Sequence, residues 1–331
     1  MPWYDMPLER LRDYRTETQE PDGLDDWWAK RLEQARLQAR PATFMAHEPA
    51  LYRPYQVQDV EFSGADGDPV KAWYLKPSGT KTPPVVVKFI GYGGGRGAPT
   101  EHLLLPALGY GVLVMDSRGQ GGRWTYGATG DGARGPENSQ VMSRGITTPE
   151  DYYYTRLFTD AALAVDAALA VDAALELAGA PGPRAGLAVT GASQGGGLAL
   201  AAAALAGHEI AVCHADVPFL CDIQRAITLA PHAPYTEIPE FLAENVALVD
   251  VALDTLRYVD CVLLARRITE ASLLSVGLMD DICPPSTVFA AYNEITAAKD
   301  IAVYPYSGHR VPRAHAERQL RHLKEHLPPS A

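Results

Sequence analysis

One serine in this 331-residue sequence stands where a side chain could act as a nucleophile. Gly191-Ala192-Ser193-Gln194-Gly195 follows a short apolar stretch, Leu187 to Thr190, and opens an Ala/Leu-rich run through Leu205. A strand, a tight turn and a helix in that order give the Gly-x-Ser-x-Gly pattern its meaning. The sharp turn lifts the serine hydroxyl above the sheet edge, and small residues two before and two after let strand and helix pass closely. The helix N-terminus behind Ser193 offers free N–H groups and a positive dipole end to a developing oxyanion. Without its flanks the pattern also describes a glycine-rich turn with a capping serine. The strand and the helix favour the nucleophile.

A serine hydroxyl attacks only when a base takes its proton, and the base needs a carboxylate to fix its tautomer. Four histidines follow the last acidic strand end: His309, His315, His322 and His326. His309 sits in Ser307-Gly308-His309, a loop leaving a strand, from which a ring can reach across to Ser193. The other three fall in a charged helical tail and read as surface residues, with His315 the rival base. Asp280 and Asp281 both end the strand Leu273 to Leu278. Either can be the acid, and either can instead cap the helix after Pro284-Pro285-Ser286. Two N–H groups complete the chemistry: that of Gln194, and one from Gly91-Tyr92-Gly93, taken as Tyr92. That glycine cluster lacks the Gly-Lys-Ser/Thr ending of a phosphate loop. The chemistry expected is acyl transfer through a covalent serine intermediate. It requires neutral His309, so rates should fall below about pH 6–7.

The elements that must position these groups are legible from periodicity. Residues 1–48 read as a charged helical arm without chemistry of its own, pinned by Trp3, Trp27, Trp28 and Leu32. Val57 to Phe62 and Val70 to Leu75 alternate and form an antiparallel hairpin. Val85 to Ile90 is a buried strand, Leu103 to Leu108 a helix and Gly111 to Met115 a strand. Trp124 to Pro149 is a long polar loop of the kind that is usually functional or interfacial. Asp151 to Leu177 is a long helix, Ile210 to Asp216 a strand, and Thr236 to Thr269 a largely helical cap or flank. Ser286 to Ala298 is a helix and Ile301 to Tyr304 the last strand. Together these predict an α/β fold, a mainly parallel wound sheet of about eight strands flanked by helices, as a single domain over 1–331. Ser193, Asp280 and His309 all fall at strand carboxyl ends, where such sheets gather their chemistry. Within the long helix, Ala161 to Asp166 recurs as Ala167 to Asp172, and Ala173 begins a third copy. Six residues turn a helix by ~240° and lengthen it by ~9 Å, so the surplus should be absorbed at a helix end or in a bulge.

Composition bounds the remaining possibilities. A net charge of −11 argues against nucleic acid or an anionic membrane as partner. The N-terminus lacks the basic start and apolar core of a secretory signal. Cys213, Cys221, Cys261 and Cys283 lie far apart with no Cys-x-x-Cys pair, which reads as reduced core thiols in a cytoplasmic protein. No metal or cofactor is implied.

Several motifs go further. Arg118-Gly119-Gln120, the serine motif itself, Asp216-Val217-Pro218-Phe219-Leu220-Cys221 and the run Gly277 to Asn293 resemble the acetyl xylan esterase and cephalosporin C deacetylase family (carbohydrate esterase family 7). Pro7-Leu8, Gly91-Tyr92-Gly93-Gly94 and Tyr152-Tyr153-Tyr154 extend the likeness over nearly the whole chain. The resemblance implies an α/β-hydrolase with Ser193 as nucleophile, Asp280 as acid, His309 as base, and the Tyr92 and Gln194 N–H groups as oxyanion hole. It implies removal of acetyl groups from short xylo-oligosaccharides and cephalosporin C, a ring-like homohexamer, and a role for 124–149 in assembly. Phe219 and Ile282, by position in the matching motifs, would limit the acyl pocket. Arg310 follows His309 where the family has Glu, reversing the charge beside the base, and Gly122 replaces a serine. Arg118 is expected to be structural, holding Asp216 or a nearby carbonyl. A serine peptidase or longer-chain esterase would share the same three residues, and a non-catalytic hydrolase fold would keep them without using them.

Overall fold

The computed structural model describes residues 4–132, 140–175 and 186–329. In chain order the elements are α1 (Leu8–Leu11), α2 (Leu24–Gln38), β1 (Thr43–Ala46), β2 (Tyr55–Ser63), β3 (Pro69–Pro77), β4 (Val85–Phe89), α3 (Leu104–Ala107) and β5 (Gly111–Met115). Then come α4 (Tyr153–Leu175), β6 (Leu187–Ala192), α5 (Gln194–Leu205), β7 (Val212–Asp216), α6 (Ile223–Leu229), α7 (Glu237–Glu244), α8 (Val249–Leu256) and α9 (Cys261–Ala265). The chain closes with β8 (Ala271–Gly277), α10 (Pro285–Glu294), β9 (Lys299–Tyr304) and α11 (His315–His326). Among the described residues no helix is long and apolar enough to cross a membrane.

Among the described residues all the strands join one nine-stranded sheet, ordered β1-β2-β3-β5-β4-β6-β7-β8-β9. From β5 to β9 the pairings are parallel; β1, β2 and β3 add antiparallel pairings at one edge. The extra strand over the expected eight is β1. Thr43–Ala46 pairs with Gln58–Glu61, so the end of the segment read as a helical arm is an edge strand instead. Thr-Phe-Met-Ala is short and largely exposed, too brief for its alternation to register in sequence.

Buried parallel strands are apolar on both faces, and β4 illustrates this. Val85, Val87 and Phe89 join the main core with α4 and α5, while Val86 packs on the opposite face against Leu323 and Leu327 at α11. Helix α4 is buried nearly all round from Tyr153 to Val165, the pattern of a helix enclosed by its neighbours. It runs unbroken through both complete copies of the hexapeptide. The first copy is buried except for Asp166, whereas Leu169 and Ala170 in the second are half-exposed. The side chains at the start of a third copy, and the helix end where a surplus would be absorbed, lie outside the described residues, as does the middle of the 124–149 loop.

Arg118 is structural; it does not hold Asp216, and its carbonyl contact is a long one to Ala65 (3.4 Å). It is fully buried and grips both oxygens of Asp160 (2.6 and 2.8 Å), with Asp68 at 3.0 Å. Asp160 also accepts the Ala65 N–H (2.8 Å), so this cluster ties the β2–β3 turn to α4. Asp216 is held elsewhere, by Ser275 Oγ (2.7 Å) and Gln319 Nε2 (2.9 Å). Arg118 leaves β5 toward α4, and sequence order gives no sign of which buried carboxylate waits there.

Candidate active site

At the end of β6 the chain turns into α5 through one residue. Ser193 takes φ 58° and ψ −123°, a conformation costly for any residue with a side chain. The turn is held by Ser193 N–H to the Asp216 carbonyl (2.9 Å), and by the Phe219 and Gly197 N–H groups on the Ser193 carbonyl (2.9 and 3.1 Å). Two glycines permit the close crossing: a Cβ on Gly191 would lie 2.2 Å from the Gly195 carbonyl oxygen, and one on Gly195 would lie 2.4 Å from that of Phe89.

Ser193 Oγ lies 2.8 Å from His309 Nε2, although 116 residues separate them. On the far side of the ring, Nδ1 lies 2.9 Å from Asp280 Oδ2. A carboxylate can only accept, so Nδ1 carries the proton and the Nε2 lone pair faces the serine hydroxyl. Asp280 is fully buried, and its Oδ1 accepts the Ile282 and Cys283 N–H groups at 2.9 Å each. Asp281 points away, its Oδ2 3.5 Å from His232 Nε2. The ambiguity between the two aspartates is thus one of side-chain direction.

His315, the rival base, is not a surface residue: it is buried, with Nδ1 2.7 Å from the Tyr304 hydroxyl and Nε2 2.9 Å from Asp216 Oδ1. His322 is half-buried beside His214 (3.1 Å). Helix α11 lies against the sheet with these rings inward, so its charged composition conceals a packed face.

The Tyr92 loop is fixed from three sides. Trp124 Nε1 donates to the Tyr92 carbonyl (3.0 Å), the Tyr92 hydroxyl donates to Glu237 Oε1 (2.6 Å), and Gly93 N–H donates to Gln120 Oε1 (2.7 Å). Burial and Glu237 push the Tyr92 phenol well above its ordinary range, so it stays protonated. Gln120 also donates from Nε2 to Gln194 Oε1 (2.9 Å), which accepts from the Tyr154 hydroxyl as well (3.1 Å). One buried amide therefore links the Tyr92 loop to the start of α5. Among the described residues, neither the Tyr92 nor the Gln194 backbone N–H donates to a protein acceptor. Gln120 stood in a quoted motif but carried no expected role; only the three-dimensional arrangement assigns it one.

Ser193 and His309 open into a cavity of about 490 Å³, lined also by Gly91, Trp124, Lys88 and Arg310. Phe219 and Ile282 lie outside that lining. Phe219 is fully buried against Tyr235, with Tyr92 nearby (ring centroids 4.1 and 6.4 Å), and Ile282 is half-buried beside Asp280. Three further contacts had no sequence signal. The Tyr4 hydroxyl donates to the Asp280 carbonyl (2.6 Å), and Asp5 accepts the Ser286 N–H (2.7 Å) and pairs with Arg225 (3.1 Å). The arm expected to be without chemistry braces the loop carrying Asp280. All four cysteines are buried and free, and burial pushes the Cys213, Cys221 and Cys283 thiols up, away from reactive thiolate.

Comparison with known proteins agrees in extent. The chain is similar to a solved acetyl xylan esterase from Paenibacillus sp. R4, with 33% identity and a TM-score of 0.85 over 97% of this chain and 100% of that one. It is likewise similar to acetyl xylan esterase 1 from Thermoanaerobacterium sp. JW/SL YS485, with 32% identity, a TM-score of 0.83, and coverage of 97% and 99%. It is 32% identical to acetyl esterase Axe7A of Xylanibacter ruminicola over 121 residues, 37% of this chain and only 26% of that longer protein. The family model described as Acetyl xylan esterase (AXE1) matches residues 1–326. With its wound sheet and serine turn, this chain belongs to the acetyl xylan esterase family, a group of α/β-hydrolase carboxylic ester hydrolases.

Proposed function

We propose that the protein is a serine esterase that removes acetyl groups from small acetylated carbohydrates, xylo-oligosaccharides foremost, and from cephalosporin C-like esters. His309 takes the Ser193 proton as Oγ attacks the acetyl carbonyl, and the oxyanion is held by the Tyr92 and Gln194 N–H groups. Protonated His309, steadied by Asp280, returns that proton to the departing alcohol. Water then repeats the sequence on the acetyl-enzyme. The observation that carries this reading is the pair of hydrogen bonds joining Asp280, His309 and Ser193 at 2.9 and 2.8 Å. Phe219 and Ile282, expected to limit the acyl chain, do not line the cavity at Ser193, so they could act on acyl length only through the residues that do. The chain works as one α/β-hydrolase unit, with 236–269 as a flank. Assembly as a homohexamer through 124–149 follows from the family likeness, and a cytoplasmic setting fits four unpaired thiols.

The test is labelling with a fluorophosphonate and location of the adduct by mass spectrometry. Modification of Ser193, and a fall of at least about 10⁴-fold in p-nitrophenyl acetate turnover for Ser193→Ala, are expected. An adduct at another serine would overturn the reading. Faster hydrolysis of p-nitrophenyl octanoate, or of a peptide anilide, would favour the longer-chain esterase or the peptidase.

A further inference from the structure

Beneath α11 the cavity opened by Ser193 and His309 reaches a half-buried lysine. Lys88 is on β4, paired with Val114 of β5 and Thr190 of β6, on the face where Val86 and Ile90 are apolar and buried. The strand pattern calls for another apolar residue there, and an ammonium partly withdrawn from water gains from a counter-charge at close range. Its hydrogen-bond partner is His102 Nδ1, at 3.2 Å. His102 Nε2 lies 2.8 Å from the Arg96 carbonyl, which can only accept, so Nε2 carries the proton and Nδ1 accepts from the lysine. Burial and Lys88 itself push the His102 pKa down to about 4, keeping that ring neutral.

Among the described residues no carboxylate is in ion-pair contact with Lys88. Two acidic residues share the cavity wall, and both are engaged. Glu101 is exposed and accepts the Ala98 N–H, and Asp216 is held by Ser275, Gln319 and His315. Arg310 adds a second cation to the same wall.

We propose that this end of the cavity is a subsite for a carboxylate on the alcohol portion of the acetylated substrate, with Lys88 as its counter-ion. The inference rests on Ser193 being the nucleophile. Among the described residues no carboxylate touches Lys88, which feels only the longer-range attraction of exposed Glu101, so its ammonium can pair directly with a carboxylate that enters the cavity. Burial holds the Lys88 pKa below its ordinary value, and an arriving carboxylate would favour the charged ammonium.

The experiment compares kcat/KM for 3- and 4-acetoxybenzoate with that for their methyl esters, following release of the phenol. The acid-to-ester ratio should be at least about tenfold higher in the wild type than in Lys88→Met, and Lys88→Arg should recover most of it. In the wild type, added sodium chloride should slow hydrolysis of the acids more than of the esters, a readout that needs no variant. An acid-to-ester ratio unchanged by Lys88→Met, or indifferent to salt in the wild type, would overturn the subsite while leaving the esterase intact. Failure to hydrolyse any of the four acetates would overturn both.

Discussion

The residue that does most for its size in this site is Gln120. Its carbonyl oxygen accepts from Gly93 N–H and its amide donates to Gln194, so it fixes the spacing between the two loops that supply the proposed oxyanion donors. An oxyanion hole acts through donors already aimed at the developing charge, and loss of one costs about 10²–10³ in kcat. Loosening both without removing either should cost less. For Gln120→Ala we expect kcat for p-nitrophenyl acetate to fall about 10- to 100-fold with KM little changed. A variant as fast as the wild type would show that the two loops hold their places unaided. At this scale the sequence was readable wherever a motif is local. Ser193 and Gln194 are neighbours in a turn with a fixed geometry. Gln120 stood in a motif that named no role for it, and Tyr4 and Lys88 carried no signal, because the partners of all three lie in other segments of the fold.

Elements hold the acid loop in an unexpected way. The N-terminal segment before α1 packs against the stretch between β8 and α10, with Tyr4 on the Asp280 carbonyl and Asp5 on Ser286. Asp280 keeps its side chain on His309 only if this loop does not drift. Removing the Tyr4 hydroxyl forfeits one hydrogen bond, roughly 1 kcal/mol. Tyr4→Phe should therefore lower kcat about fivefold while leaving KM and the thermal midpoint near wild-type values. An unchanged kcat would reduce the segment to packing alone. Periodicity found the strands and long helices because each buries a regular face. It missed β1, whose four largely exposed residues carry no alternating core signal, and it misread α11, where inward-facing histidines look polar in sequence.

The whole molecule depends on polar groups buried beneath its helices. Burial and His322 push the His214 pKa down to about 3, and His102 stands at about 4 for the related reason of burial beside Lys88. Both are neutral in the fold and titrate near 6.5 when unfolded. The unfolded chain thus binds more protons below that value, so the stability these rings permit is full above pH 6.5 and is lost as pH falls toward 3–4. Each contributes up to about 1.4 kcal/mol per pH unit in that window. Urea unfolding at pH 7 and pH 5 should show the loss, and His214→Leu should shrink it by about 2 kcal/mol. Identical pH dependence in the two proteins would mean that His214 is protonated in the native state. The buried Arg118–Asp160 pair belongs to the same scale, since it joins the antiparallel edge to the central helix.

Sequence alone determined the layered α/β architecture, the strained serine turn and the strand ends where a base and an acid could meet. These follow from hydrophobic periodicity and from glycine spacing, which are properties of contiguous residues. Tertiary structure decided what depends on direction across space. It put Asp280 rather than Asp281 beside the His309 ring, turned His315 inward toward Asp216, gave Arg118 to Asp160, and set Lys88 at the end of the cavity. Each of those outcomes is fixed by which buried charge or donor finds a partner, and partners are settled only when distant segments pack.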